Sequence, residues 1–530
     1  MIHFDGFSWQ FAGAAAWALR DVSLNIDRGE FVVIAGPSGS GKTTLALAMC
    51  GLLMGRYEGR VDGSVRVDGR DAAETPTHQI AQTIGLVQQN PETHFATLRV
   101  SDEIAFALEN RCLTRDDIVL AVRNAMRMLS IDHLHDRDLA SLSGGEKQRV
   151  AVASIVAGSP AVLVLDEPTA SLDPRASRDL FRVLADLCRR TELTVVIIEH
   201  KLDHLLPLEP RLVALQDGRV VCDQANASSA ASLPAFLAAS EIRRPDIPQS
   251  PLSPRPDPPL VEVSDLAVEL DSRLVLHDLS LRVQPGEMLA VLGPTGGGKT
   301  TLLYSLMGLA ERAHGTVRVC GMEVSPRAVS RLARHVGFVF QNADHQLVAD
   351  TVQREALFAP RRLGVMNDAV QAEADRLLER AGLGQQREDH PFRLSWGQKR
   401  RLNVISAVLH RPRLLLLDEP FAGQDWEHAA FLLEAVRAVL CGTLASASTS
   451  AETPSPGACL MVTHDMRVVA RACTRVLFVE NGRITLDAPL PEVFERLLSM
   501  RHDAYVPSEY RQHGAGPGAV KPQARTGADT

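Results

Sequence analysis

Short apolar runs that end in polar residues recur along this chain and alternate with longer stretches of amphipathic, helical spacing. The runs Glu30–Gly36 (EFVVIAG), Ala161–Glu167 (AVLVLDE) and Thr194–His200 (TVVIIEH) are rich in β-branched residues and show no polar face. That is the pattern of strands buried on both sides in a parallel sheet. Glu287–Gly293 (EMLAVLG), Arg413–Glu419 (RLLLLDE) and Cys459–His464 (CLMVTH) repeat it further along. Strands alternating with helices predict an α/β fold whose ligand site lies beyond the carboxyl ends of the strands. The polar residues that close each run fall at that edge.

The repetition is a duplication of a whole domain. Gln89 and Gln341, Ser143 and Ser395, and Asp166 and Asp418 all stand 252 positions apart, whereas Lys42 and Lys299 stand 257 apart and His200 and His464 stand 264 apart. The second copy is therefore shorter after its first motif and longer before its last. The extra length falls in Cys441–Ala458, a Ser/Thr/Ala-rich stretch without periodicity that reads as a surface loop. Seven prolines between Pro245 and Pro259 predict a semi-rigid, extended linker. The expected organisation is a first domain over 1–225, a linker over 226–259, a second domain over 260–500 and a disordered tail over 501–530 with little to bury.

Composition narrows the function. With 45% hydrophobic and 23% charged residues the chain reads as an ordinary soluble protein, and its net charge of −8 argues against a broad nucleic-acid footprint. The eight cysteines are scattered without a CxxC pair, as expected of core residues in a reducing compartment. The start of the sequence is not signal-like, and no apolar run approaches the roughly 18 residues needed to cross a bilayer, so any membrane role is expected to be peripheral.

Candidate chemistry sits where the runs end. GPSGSGKTT (Gly36, Pro37, Ser38, Gly39, Ser40, Gly41, Lys42, Thr43, Thr44) and GPTGGGKTT (Gly293, Pro294, Thr295, Gly296, Gly297, Gly298, Lys299, Thr300, Thr301) both follow a strand and open a helical pattern. In such loops successive backbone N–H groups wrap a triphosphate, the lysine meets its outer phosphates and the first threonine reaches Mg²⁺. Asp166/Glu167 and Asp418/Glu419 close strands. One carboxylate of each pair can join the Mg²⁺ shell while its neighbour orients or deprotonates the attacking water. Alone, an acidic pair after a strand reads as the start of a solvated loop; beside a phosphate loop it becomes specific. His200 and His464 end later strands, where a histidine is either structural or a contact to the γ-phosphate.

Two near-identical octapeptides, LSGGEKQR (Leu142–Arg149) and LSWGQKRR (Leu394–Arg401), complete the order phosphate loop, glutamine, LSGG, Asp-Glu and histidine in each copy. In that order the chain resembles the nucleotide-binding domains of ATP-binding cassette (ABC) proteins, over both halves and excluding only the linker and tail. The resemblance implies two tandem P-loop NTPase domains, each with a mainly parallel sheet core, a helical signature subdomain and an antiparallel β subdomain. It further implies ATP hydrolysis with Mg²⁺ by two composite sites, because in that family the signature of one domain closes over the ATP of the other. Carried over, Ser143 and Gly145 would meet the ATP on Lys299, and Ser395 and Gly397 the ATP on Lys42. Thr43, Gln89 and Asp166, and Thr300, Gln341 and Asp418, would hold Mg²⁺; Glu167, Glu419, His200 and His464 would be catalytic. Asp173 and Asp425 match the loop that communicates between sites. Trp9 in FSW matches the aromatic that stacks on adenine, or else is a core residue, and the second copy offers Val268 there. Trp396 for Gly144 requires ordinary helical φ; it either makes the two sites unequal or is tolerated packing.

The wording around the glutamines, QQNPETHFATLRVSDEIAFALEN (Gln88–Asn110) and FQNADHQLVADTV (Phe340–Val352), is similar to the ATPase subunits of energy-coupling factor (ECF) importers of vitamins and metal ions. That resemblance implies a peripheral protein on the cytoplasmic face of the membrane, gripping a membrane coupling subunit that carries a small substrate binder, with no nucleic-acid partner. A sugar-importer tandem ATPase and a soluble, ribosome-associated ABC ATPase are the alternatives. The second is disfavoured by the proline-rich linker and net charge, and a repair ATPase would need a zinc cluster or inserted coiled coil that the sequence lacks.

Overall fold

A computed structural model describes residues 1–14, 16–170, 172–224, 257–270, 273–443, 456–507 and 510. Each half combines a six-stranded sheet with a four-stranded antiparallel sheet. In the first half the large sheet runs Arg219–Gln224, Arg211–Gln216, Phe31–Ala35, Thr194–Ile198, Val162–Asp166, Ile84–Val87, parallel apart from its first strand. The second half matches it with Val336–Val339, Leu414–Asp418, Ala458–Val462, Met288–Leu292, Arg475–Glu480 and the antiparallel Arg483–Pro489.

The apolar runs are continuous because these strands are buried on two faces. Along Phe31–Ala35, Val33 and Ala35 face a core shared with the signature helices, whereas Val32 and Ile34 face a core shared with the antiparallel sheet. Met288, Ala290 and Leu292 separate from Leu289 and Val291 in the same way. A strand with side chains alternating between two cores has no polar side to show. The helical subdomain holds Val100–Glu109, Arg115–Met128 and Gly144–Val156 in the first half, and Asp368–Arg380 and Trp396–Val408 among others in the second.

The linker reading falls almost wholly on residues outside those described, as does the central part of the loop expected over Cys441–Ala458. Its last residue, Ala458, already begins a buried strand. The expectation of an unstructured tail from Arg501 is corrected for its first residues. Asp503–Tyr505 form a 3₁₀ turn, and Ala504, Tyr505 and Val506 are buried in the second half's core. The Tyr505 ring stands edge-on to Phe478 at 5.0 Å, and Asp503 pairs with Arg178 of the first half at 2.5 Å. The Ala-Tyr-Val triplet supplies what the Gly/Pro-rich sequence after it lacks, an apolar surface to bury.

Candidate active site

The phosphate loops, 36–41 and 293–298, join central strands to the helices Lys42–Met49 and Lys299–Met307, with Thr43, Thr44, Thr300 and Thr301 in the first helical turn. Gly41 and Gly298 hold φ of 97° and 98°, which costs glycine little. Gly36 and Gly293 are required by space, since a Cβ on either would lie 2.0 Å from the carbonyl oxygen of Leu215 or Val479. Lys42 Nζ donates to the carbonyls of Gly36 (3.0 Å) and Pro37 (2.7 Å), and Lys299 Nζ to those of Gly293 and Pro294 (both 2.8 Å). Burial pushes both ammonium groups below their ordinary pKa, against the pull of the neighbouring carboxylates.

Both glutamates that follow the strand ends have left-handed backbones, Glu167 at φ 47° and Glu419 at φ 52°. Each N–H is fixed at 2.9 Å to the next strand, on the carbonyl of Ile198 or Val462. A non-glycine residue held in that region costs on the order of 1 kcal/mol, and strain of this kind clusters at functional sites.

Around these matching backbones the side chains diverge. In the first half Gln89 Nε2 donates to Glu167 at 2.7 Å and His200 Nε2 meets the other carboxylate oxygen at 2.8 Å. Burial raises the Glu167 pKa, but the adjacent His200 together with Lys42 and Lys201 outweighs it and the net shift is downward. Asp166 is pushed up to about 6 by burial and by Glu167. In the second half burial, and then Asp418, push Glu419 up to about 7, and burial holds His464, 3.2 Å away, well below the usual imidazole range. Gln341 is exposed, and its main-chain carbonyl accepts from Arg400. Asp418 Oδ2 accepts from Thr300 Oγ1 at 2.8 Å, while its buried Oδ1 has no hydrogen-bond partner among the described residues. A carboxylate oxygen left open beside a threonine hydroxyl is the hard-oxygen donor set that Mg²⁺ takes.

The halves meet head to tail through Asp173 and Asp425. Asp425 Oδ2 accepts from the N–H of Ser38 at 2.8 Å, and Asp173 Oδ2 from the N–H and hydroxyl of Thr295 at 2.9 and 3.0 Å. Each phosphate loop is thus fastened to the opposite half. Ser143 and Ser395 cap their own helices in reciprocal capping boxes with Glu146 and Gln398. Gly144 and Trp396 occupy the same first helical position, and neither has positive φ, so the fold accepts tryptophan there.

The stacking aromatic is corrected. Trp9 is 2% exposed, packed with Phe7 in the core of the antiparallel subdomain and edge-on to Phe11. Val268 is likewise fully buried. The aromatic residue next in sequence to the backbone that flanks the phosphate loop is Trp17: a Cβ on Gly41 would lie 2.5 Å from the carbonyl of the following residue, Ala18. Trp17 is half-buried, with the Arg60 guanidinium 5.3 Å from its centre. In the second half Val275 holds the place of Ala18 beside Gly298, and the residue before it is Leu274, 43% exposed. The match between WALRDVSL and LVLHDLSL could have located this position from sequence.

Comparison with known proteins follows the same division into halves. The sequence profile of the ABC transporter family matches residues 19–170 and 276–422. A putative ABC transporter ATP-binding protein of Methanosarcina acetivorans is 33% identical over 545 residues, covering 93% of this chain and 86% of that one. The putative HMP/thiamine import ATP-binding protein YkoD of Bacillus subtilis is 32% identical over 506 residues, covering 90% and 89%. The solved structure of cbiO1 from Clostridium perfringens, part of the ABC transporter complex cbiONQ, is 27% identical with a TM-score of 0.41, covering 46% of this chain and 96% of that one.

Proposed function

Because the chain belongs to the ABC transporter family as an ATPase with two nucleotide-binding cassettes, we propose that it is the energy-coupling subunit of an ECF-type importer of a vitamin or metal ion. The observation that carries this reading is the reciprocal fastening of each phosphate loop to the other half through Asp425 and Asp173. A single chain that pairs its own cassettes needs no second ATPase subunit, only a membrane partner. The wording around Gln89 and Gln341, and likeness to a putative HMP/thiamine import protein, favour the importer class. No helix of the described residues is long and apolar enough to cross a membrane, so the partner is expected to supply the spanning segments.

In this reading the N–H groups of the two loops bind the phosphates of ATP, and Lys42 and Lys299 turn from their loop carbonyls to the β- and γ-phosphates. Thr43, Gln89 and Asp166, and Thr300, Gln341 and Asp418, would hold Mg²⁺, which would neutralise charge developing on the phosphates. Glu167 and Glu419 orient water and take its proton, and His200 and His464 face the γ-phosphate. Trp17 offers the adenine an aromatic face at the first site, and the second site offers Leu274. Ser395 and Gly397 close over the first ATP, Ser143 and Gly145 over the second. Closure around two nucleotides, and parting after hydrolysis, moves the membrane partner, because ATP favours the closed state only through contacts that the open state lacks.

Purification of the tagged chain in mild detergent from its own cells tests this. Recovery with one coupling-type membrane protein and a small apolar substrate binder is expected. Recovery with ribosomes, or alone under every condition, would overturn the importer reading.

A further inference from the structure

The two signature helices differ at positions one turn apart. Trp396 replaces Gly144 and Arg400 replaces Gln148. Side chains four residues apart share a helix face, and the Arg400 guanidinium lies 4.8 Å from the centre of the Trp396 ring. Arg400 is 1% exposed, and its hydrogen bonds go to the main-chain carbonyls of Phe340, Gln341 and, at 3.4 Å, Asp418. It therefore ties the helix to the glutamine loop and to the strand end that carries Glu419.

The Trp396 ring also lies against Gly423, in the segment Gly423–Gln424–Asp425. A Cβ on Gly423 would come within 2.6 Å of both the Trp396 ring and Gln89 Nε2 of the first half. Gln424 Nε2 donates to the Gly397 carbonyl at 3.0 Å, and Asp425 accepts from Ser38. A continuous path thus runs from Ser38 and Gln89 at the first site, through Gly423–Asp425, Trp396 and Arg400, to Gln341 and Asp418 at the second. Among the described residues the mirror path is not built. Gly144 has no side chain, and the buried Gln148 leaves its Nε2 without a hydrogen-bond partner among the described residues.

We propose that Trp396 and Arg400 are positioning residues that couple the two ATP sites through this one signature helix. The inference rests on the site assignment under Proposed function. Because linkage is reciprocal for binding, ATP at either site should strengthen binding at the other.

The test uses the full chain carrying Glu167→Gln and Glu419→Gln, with bound ATP measured by titration. Lys42→Ala should cut the ATP bound from two to one, and the remaining second site should bind about tenfold more weakly than when the first is filled, within the range of typical allosteric couplings. With Trp396→Gly, or separately Arg400→Gln, that factor is expected to fall to about threefold or less, while the second site's affinity with the first empty stays within about twofold. A coupling factor unchanged by both substitutions would overturn the proposal. So would loss of the second site's own affinity in both, which would mark a merely structural role. If Lys42→Ala leaves two ATP bound, the site assignment fails instead.

Discussion

The two Asp-Glu strand ends, at Glu167 and at Glu419, share a backbone and differ in charge. Glu167 and Glu419 have the same left-handed conformation and the same hydrogen bond to the neighbouring strand. Yet Gln89 and His200 bracket Glu167 and favour its carboxylate, while Glu419 lies deeper, beside Asp418 and a neutral His464, and is pushed up to about 7. Duplication preserved the geometry of the strand ends, and divergence worked on what surrounds them. A strand-end carboxylate is thus tuned by neighbours that its own motif does not contain.

The largest effect expected is from removing both carboxylates. Glu167→Gln with Glu419→Gln should lower ATP turnover by about 10²- to 10⁴-fold, the range for losing general-base catalysis, with ATP binding retained. Steady-state phosphate release measures the first and equilibrium dialysis the second; turnover that survives would break the comparison at its root. Next, Trp17→Ala should weaken ATP at the first site about tenfold, since aromatic stacking on a base contributes about 1–3 kcal/mol, whereas Leu274→Ala should change the second by less than about twofold. Titrations of Lys299→Ala and Lys42→Ala chains isolate the two sites.

The difference in pKa gives a smaller effect with a definite sign. A base acts as its carboxylate, so a group titrating near 7 loses function as pH falls through 7. kcat/KM reports the free enzyme. For the second site, read in Glu167→Gln, it should fall about fourfold from pH 8 to 6.5, while the first site, read in Glu419→Gln, should stay flat. Smallest is His428→Ala. His428 Nδ1 stands 2.9 Å from Asp425 and, despite burial, helps hold that carboxylate far below its ordinary pKa; position 176, its counterpart beside Asp173, is alanine. Its loss should weaken ATP at the first site by about twofold, as for a partly exposed ion pair, and leave the second unchanged.

Much of this was legible in the sequence because phosphate loops, Asp-Glu strand ends and terminal histidines are local patterns whose spacing survives folding. Trp9 misled because it matches a motif position; the alternation Phe4, Phe7, Trp9 along one strand, interrupted by a register shift, puts it inward instead. The left-handed glutamates have no sequence signature, since their conformation is imposed by the strand beside them. Arg400 reads as one more basic residue until the carbonyls of Phe340 and Gln341 are seen around it. Tyr505 was hidden by the Gly/Pro-rich residues that follow it.

If the two ATP sites of this chain differ in catalytic environment, single-turnover hydrolysis at pH 7 in Glu167→Gln and Glu419→Gln, compared side by side, separates them. Cleavage is expected to be faster in Glu419→Gln, which keeps Glu167 between Gln89 and His200. Equal rates, or faster cleavage in Glu167→Gln, would contradict it.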